Sequence, residues 1–189
     1  IVWAVEFAKR KRCVRMVTPP RVVQIVGYSD TGKTTLITHL IRYLRQLGYQ
    51  VGVIKRDGHD REWEPAGKDT WTFRHAGAGL VAIQSSTKMA WFEQPPPSLD
   101  ALIGRMGEAG AQIILVEGFK TAPYPKLLVV RERSHLALLE RLTDCRGIVS
   151  WFPLQAQALP VYPIDQPQRV AAFVETVLFG DQQNHLERC

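Results

Sequence analysis

The chain has 189 residues, long enough for one domain whose core needs neither metal nor disulfides to hold it together. Hydrophobic residues make up 46% and charged residues 22%, which excludes an intrinsically disordered chain. Of the net charge of +6, residues 1–20 contribute +4 (Lys9, Arg10, Lys11, Arg12 and Arg15 against Glu6), leaving the body too nearly neutral for a nucleic-acid binder.

Residues 1–20 are expected to be a basic extension outside the fold. Apolar Ile1–Val5 precedes the basic cluster, the reverse of a secretory signal, and Met16 stands just before the first strand. From Arg21 a β-branched run ending in Gly27 predicts a buried strand. The stretch 34–48 places Leu36, Ile37, Leu40, Ile41, Leu44 and Leu47 at helical spacing and ends on Gly48. Val51–Ile54 reads as a second strand, so the three segments predict a right-handed parallel βαβ unit. A polar stretch, Lys55–Gly67, precedes a short helix over Lys68–Ala76 that closes at Gly77. Gly79–Gln84 and Lys88–Phe92 read as strands, and the stiff Pro95-Pro96-Pro97 introduces a helix over Ser98–Ala109. Gln112–Gly118 is the most apolar run and predicts a central strand. Lys126–Arg131 predicts another, His135–Leu142 a helix, Arg146–Phe152 and Pro160–Ile164 strands, and Gln168–Phe179 a closing amphipathic helix.

This order predicts a single three-layer α/β domain over residues 21–180 with a mostly parallel central sheet, followed by a C-terminal tail over 181–189. No apolar run approaches the roughly 18 residues of a membrane span. Cys13, Cys145 and Cys189 form no C-x-x-C pair, which suits a reducing compartment. The expectation is a cytoplasmic protein that engages neither membrane nor nucleic acid.

Between the first strand and helix stands Gly27-Tyr28-Ser29-Asp30-Thr31-Gly32-Lys33-Thr34, followed by Thr35, a match to G-x-x-x-x-G-K-[ST]. The glycines admit close backbone approach, successive N–H groups form an anion nest, and the helix N-terminus adds its dipole. Gly27, Ser29, Asp30, Thr31, Gly32, Lys33, Thr34 and Thr35 are therefore candidate phosphate-binding residues of a three-layer P-loop NTPase fold. Lys33 is expected to reach the β- and γ-phosphates and the Thr34 hydroxyl to ligate Mg²⁺.

A magnesium–nucleotide site also wants a carboxylate at a strand tip, where ligands of open α/β sheets bind. Glu117, after Ile113-Ile114-Leu115-Val116, supplies one. Asp60, in the polar segment Lys55–Asp60, is a second metal candidate that could hold a magnesium-bound water or orient an attacking one, and Asp60 and Glu117 are the catalytic candidates. His59 beside Asp60 lacks the spaced partners of a zinc site. Lys120 could reach phosphate or a partner, and Lys68, Asp69 and Arg74 could form a charged face near the phosphates. Trp63, Trp71, Trp91 and Trp151 invite base stacking, although aromatics more often serve cores and interfaces.

The assembled residues resemble the MobB family of molybdopterin-guanine dinucleotide biosynthesis adapters. The resemblance rests on Gly27–Thr35, the strand Val51–Lys55 followed by His59-Asp60, Pro65 with Gly67-Lys68-Asp69, Arg74 with Ala76-Gly77-Ala78, and Ile114–Lys120. It covers residues 21–131 and extends only loosely beyond. It implies a homodimer that binds Mg²⁺ and GTP, hydrolyses GTP weakly, assists the molybdopterin guanylyltransferase and associates with the molybdenum insertion enzyme. Phosphate and magnesium roles carry onto Gly27, Gly32, Lys33 and Thr34, with Asp60 and Glu117 around the metal.

Three departures stand out. Arg56 and Gly58 occupy positions where the family commonly has histidine, while Asp60 is kept. Ser150 is followed by Trp151 where the family often has a Ser-Asp pair. No N-K-x-D occurs, and Asp144–Gly147 falls too late to serve as D-x-x-G, so guanine preference rests on the resemblance. The same loop would also serve a small-molecule kinase using a purine nucleoside triphosphate, with Lys68, Arg74 or Lys120 holding the acceptor. An interaction protein with a disused loop is a third reading, opposed by the intact Lys33-Thr34 pair.

Overall fold

The computed structural model describes residues 18–58, 62–154 and 158–180. The expected extension (18–20 apart), the tail over 181–189, and His59 and Asp60 lie outside the described residues. The elements run β1 (Arg21–Val26), α1 (Lys33–Gln46), β2 (Val51–Lys55), α2 (Asp69–His75), β3 (Leu80–Gln84), β4 (Met89–Glu93), α3 (Leu99–Glu108), β5 (Ile113–Glu117), β6 (Lys126–Val130), a 3₁₀ helix (Arg133–Arg141), β7 (Cys145–Ser150), β8 (Val161–Pro163) and α4 (Pro167–Phe179).

Six strands form one sheet in the order β2-β5-β1-β6-β7-β8, every neighbouring pair parallel. β1 and β2 run parallel as predicted, but β5 lies between them, so β1 sits centrally with β5 on one side and β6 on the other. The chain leaves β1 towards β2 and later crosses from β5 to β6, and ligand crevices open where strand order reverses in this way.

Alternating side chains divide the core into layers. Val23, Ile25, Leu115, Leu127 and Val129 face α1 and α4, packing on Leu36, Leu40, Leu44, Val170 and Val174. On the opposite face, Val22, Ile114 and Val116 meet α3 through Leu99 and Ile103, while Val26, Leu128 and Ile148 meet Leu138 of the 3₁₀ helix. That last element is the helix expected over His135–Leu142, here wound in 3₁₀ form. A Ser98 hydroxyl caps α3 by accepting from the Ala101 amide at 3.2 Å.

β3 and β4 are strands, as their pattern predicts, yet they form a separate antiparallel hairpin. Val81 is buried on one hairpin face, while Glu93, which pairs with Arg105 of α3, lies on the opposite face beside Leu80. That opposite face carries Leu80, Met89 and Trp91, which remain 59%, 62% and 54% exposed. No helix among the described residues is long and apolar enough to cross a membrane.

Candidate functional site

β1 ends in the turn 27–32, and α1 begins at Lys33. A Cβ on Gly27 would come within 2.6 Å of the Val129 carbonyl oxygen, so only glycine lets β1 and β6 close up here. Gly32, at φ 87°, takes the left-handed turn that starts the helix. Among the described residues no side chain caps α1 and its first turn holds no acid; its first residue is instead the cation Lys33. Positive charge at a helix N-terminus opposes the dipole, an arrangement suited to a site where an anion supplies the missing negative charge.

Around this terminus lies a cavity of about 1240 Å³, lined by every loop residue from Gly27 to Thr35 and by Lys55, Glu117, Lys120, Arg131 and Trp151. The structure thus brings together all the candidate phosphate-binding residues and Glu117. Thr34 Oγ1 lies 3.3 Å from Glu117 Oε2, and Lys55 Nζ lies 3.7 Å from Glu117 Oε1. Lys33 Nζ folds back to donate to the Tyr28 carbonyl. Burial pushes its ammonium below the ordinary lysine range; Glu117 pushes the other way, Lys120 and Lys55 add to the lowering, and Asp30 opposes it.

The donor set fits a magnesium–nucleoside triphosphate. Mg²⁺ is held in such sites by one or two carboxylates, a hydroxyl and substrate phosphates, so a complete protein cage is not required. Thr34 and Glu117 are placed where a hydroxyl and a carboxylate for such a metal would stand, and the loop with Lys33 lines the space a polyphosphate would fill.

Several contributors escaped the motif. Lys55 reaches Glu117 from the end of β2, and Lys120 lies over the Tyr28 ring at 4.9 Å. Gln24, fully buried in β1, donates from Nε2 to the Gly118 and Phe119 carbonyls at 2.9 and 2.8 Å and so fixes the turn that follows Glu117. A glutamine inside an apolar strand was its only signal in the sequence. Arg131 and Trp151 directly follow β6 and β7, more than a hundred residues beyond the loop they touch.

Other candidates lie elsewhere. Arg74 is engaged by Glu64 at 2.7 Å and by Glu62, and it caps the Phe92 ring. Neither it nor Lys68 and Asp69 lines the cavity, because α2 packs against β3 instead of the sheet edge. Trp71 stacks on His75 at 3.7 Å, and Trp63 is exposed; of the four tryptophans considered for stacking, Trp151 alone lines the cavity.

A profile of the family described as "Molybdopterin guanine dinucleotide synthesis protein B" matches residues 22–151, from β1 to the end of β7. The "Probable molybdopterin-guanine dinucleotide biosynthesis adapter protein" of Bacillus subtilis is 31% identical over 170 residues, covering 88% of this chain and 98% of its own. The "Molybdopterin-guanine dinucleotide biosynthesis adapter protein" of Haemophilus influenzae is 33% identical over 156 residues, 82% of this chain and 87% of its own. Among solved structures, Bacillus subtilis MobB superposes with a TM-score of 0.71 at 28% identity, covering 84% of this chain and 98% of that one.

Proposed function

The chain belongs to the MobB family, and from that premise we propose that it is a cytoplasmic, Mg²⁺- and GTP-binding adapter in molybdopterin guanine dinucleotide biosynthesis. In this reading it assists the guanylyltransferase, associates with the molybdenum insertion enzyme and hydrolyses GTP only slowly. The observation that carries it is the uncapped, acid-free start of α1, with Lys33 and Glu117 facing one cavity.

Each residue then has a defined task. The amides of the turn and first helical residues bind phosphate oxygens, Lys33 leaves the Tyr28 carbonyl to pair with the β- and γ-phosphates, and Lys55 and Lys120 offset the remaining charge. Thr34 and Glu117 would hold the metal, whose chemistry would be to neutralise phosphate charge. Asp60, at the end of the polar segment after β2, is proposed to orient water near the metal. Slow turnover follows from a site that positions the phosphates while no arginine finger or catalytic glutamine is identified in the sequence.

Competition between GTP and ATP for the purified protein, with and without the guanylyltransferase, tests the reading. GTP should win, and the transferase should tighten its binding; equal affinity for both nucleotides in both conditions would refute the guanine-specific role. The small-molecule kinase is disfavoured because two of its proposed acceptor ligands, Lys68 and Arg74, do not line the cavity.

Binding should also be pH-dependent. A bound polyphosphate favours the Lys33 ammonium and raises the pKa that burial has lowered. Affinity is therefore complete below the free-state pKa and falls as pH rises through it, with a proton taken up on binding in that window. Calorimetry in buffers of different ionisation enthalpy measures this uptake; proton release there would contradict it.

The proposed homodimer is supported by the β3–β4 hairpin. The hairpin packs on α2 through β3, but its other face leaves Leu80, Met89 and Trp91 exposed together, and such an apolar patch calls for a cover. A second copy, laying its own Leu80, Met89 and Trp91 against this face, provides one. Light scattering should give twice the chain mass for the wild type and a folded monomer for a Leu80→Asp, Trp91→Lys double variant. A dimer that survives both substitutions would move the interface elsewhere.

A further inference from the structure

Two side chains that directly follow β6 and β7, the neighbouring strands on one side of β1, hold the backbone of the phosphate loop. Arg131 Nη1 donates to the Asp30 carbonyl at 2.9 Å, and Trp151 Nε1 donates to the Thr31 carbonyl at 2.8 Å. They also brace each other, the guanidinium lying 5.4 Å from the indole centroid. The indole fills the space beside Gly32, where an added Cβ would meet Trp151 Cζ2 at 3.1 Å. The turn between them has unusual backbone, with Asp30 at φ 56° and Gly32 at φ 87°. Such conformations persist when their surroundings hold them.

Within a trans peptide unit the carbonyl of one residue and the N–H of the next point in opposite directions. Drawing the Asp30 and Thr31 carbonyls towards Arg131 and Trp151 therefore turns the Thr31 and Gly32 N–H groups away from them. We propose that Arg131 and Trp151 are positioning residues that hold this loop in its anion-ready form before any ligand arrives. The inference rests on the reading that the loop binds polyphosphate. Its consequence is preorganisation: the loop's ordering cost is met on folding, so the free energy of phosphate contacts appears as affinity.

Both side chains line the same cavity, and Trp151 is 50% exposed, so the alternative is direct contact with base or ribose. Inorganic tripolyphosphate, which has neither, separates the two. GTP and tripolyphosphate should be titrated onto the wild type, Trp151→Phe, which keeps a ring and loses the donor, and Arg131→Met. Each variant is expected to lose about two- to tenfold in affinity, the worth of one hydrogen bond, and to lose it equally for both ligands. Arg131→Lys, which keeps a charged donor, should recover most of the loss, and the ligand-free variants should stay folded, their thermal midpoints lowered by no more than the worth of the lost hydrogen bond. A loss confined to GTP, no loss at all, or a loss that Arg131→Lys does not recover would each overturn the proposal. Failure of the wild type to bind either ligand would instead sink the polyphosphate reading, and the proposal with it.

Discussion

Lys33→Ala is expected to weaken nucleoside triphosphate binding by about 1.5–3 kcal/mol, roughly ten- to 150-fold in Kd, the cost of a lost charge-assisted contact. The loss should be much smaller for the diphosphate, because the ammonium is proposed to span the β- and γ-oxygens. The fold itself should not suffer. In the ligand-free protein this ammonium is partly desolvated, crowded by Lys55 and Lys120, and engages one carbonyl of its own loop. Removing it relieves like-charge repulsion as it removes a contact, so the thermal midpoint without ligand should move little. Fluorescence or calorimetric titration of GTP and GDP, with thermal melts alongside, would separate these effects; unaltered triphosphate affinity would return the loop to a structural role.

Glu117→Gln should act through the metal. The amide keeps the shape of the side chain and can still accept from Thr34 Oγ1, 3.3 Å away, but it has no charge for Mg²⁺ or for Lys55. Binding of GTP without magnesium should be kept or slightly tightened, since a carboxylate no longer repels the phosphates. The enhancement given by magnesium should fall by about ten- to a hundredfold, the range seen when a metal site loses a supporting group. Titrations at several magnesium concentrations measure that enhancement directly. A variant with the wild-type dependence would remove Glu117 from the metal site and leave Asp60 as the remaining candidate carboxylate.

The local half of this architecture was legible in the sequence because local rules produce it. A β-branched strand, a glycine-bounded loop and a helix with leucines at helical spacing follow one another from Arg21 to Gly48, and each segment folds as its own periodicity predicts. The same holds for Ile113–Glu117, whose four buried apolar residues deliver Glu117 to the cavity. What periodicity does not carry is the partner. Nothing in Val51–Lys55 says that β5 will lie between it and β1, and nothing in Leu80–Gln84 or Met89–Glu93 says that these strands will leave the sheet and pair with each other. Parallel pairing is decided by contacts far apart in the chain, and the sign of that decision is absent from any short window.

The site shows the same division. Gly27–Thr35 was readable because phosphate chemistry fixes residue types at fixed spacing. The brace was not: Trp151 stood out only as one of four tryptophans open to base stacking and Arg131 not at all, until the sheet order placed both beside the loop. Arg74 erred in the other direction: its charge suggested a phosphate ligand, and Glu62 and Glu64 claim it instead. Charge in a sequence marks a need for a partner without saying which partner.

The central claim is that the start of α1 grips the polyphosphate of a magnesium-bound nucleotide. Calorimetric titration of GTP onto the purified wild-type protein, with magnesium and with a chelator, tests it most directly. The account predicts saturable binding that tightens when magnesium is present. Absence of binding in both conditions, or an affinity indifferent to magnesium, would contradict it.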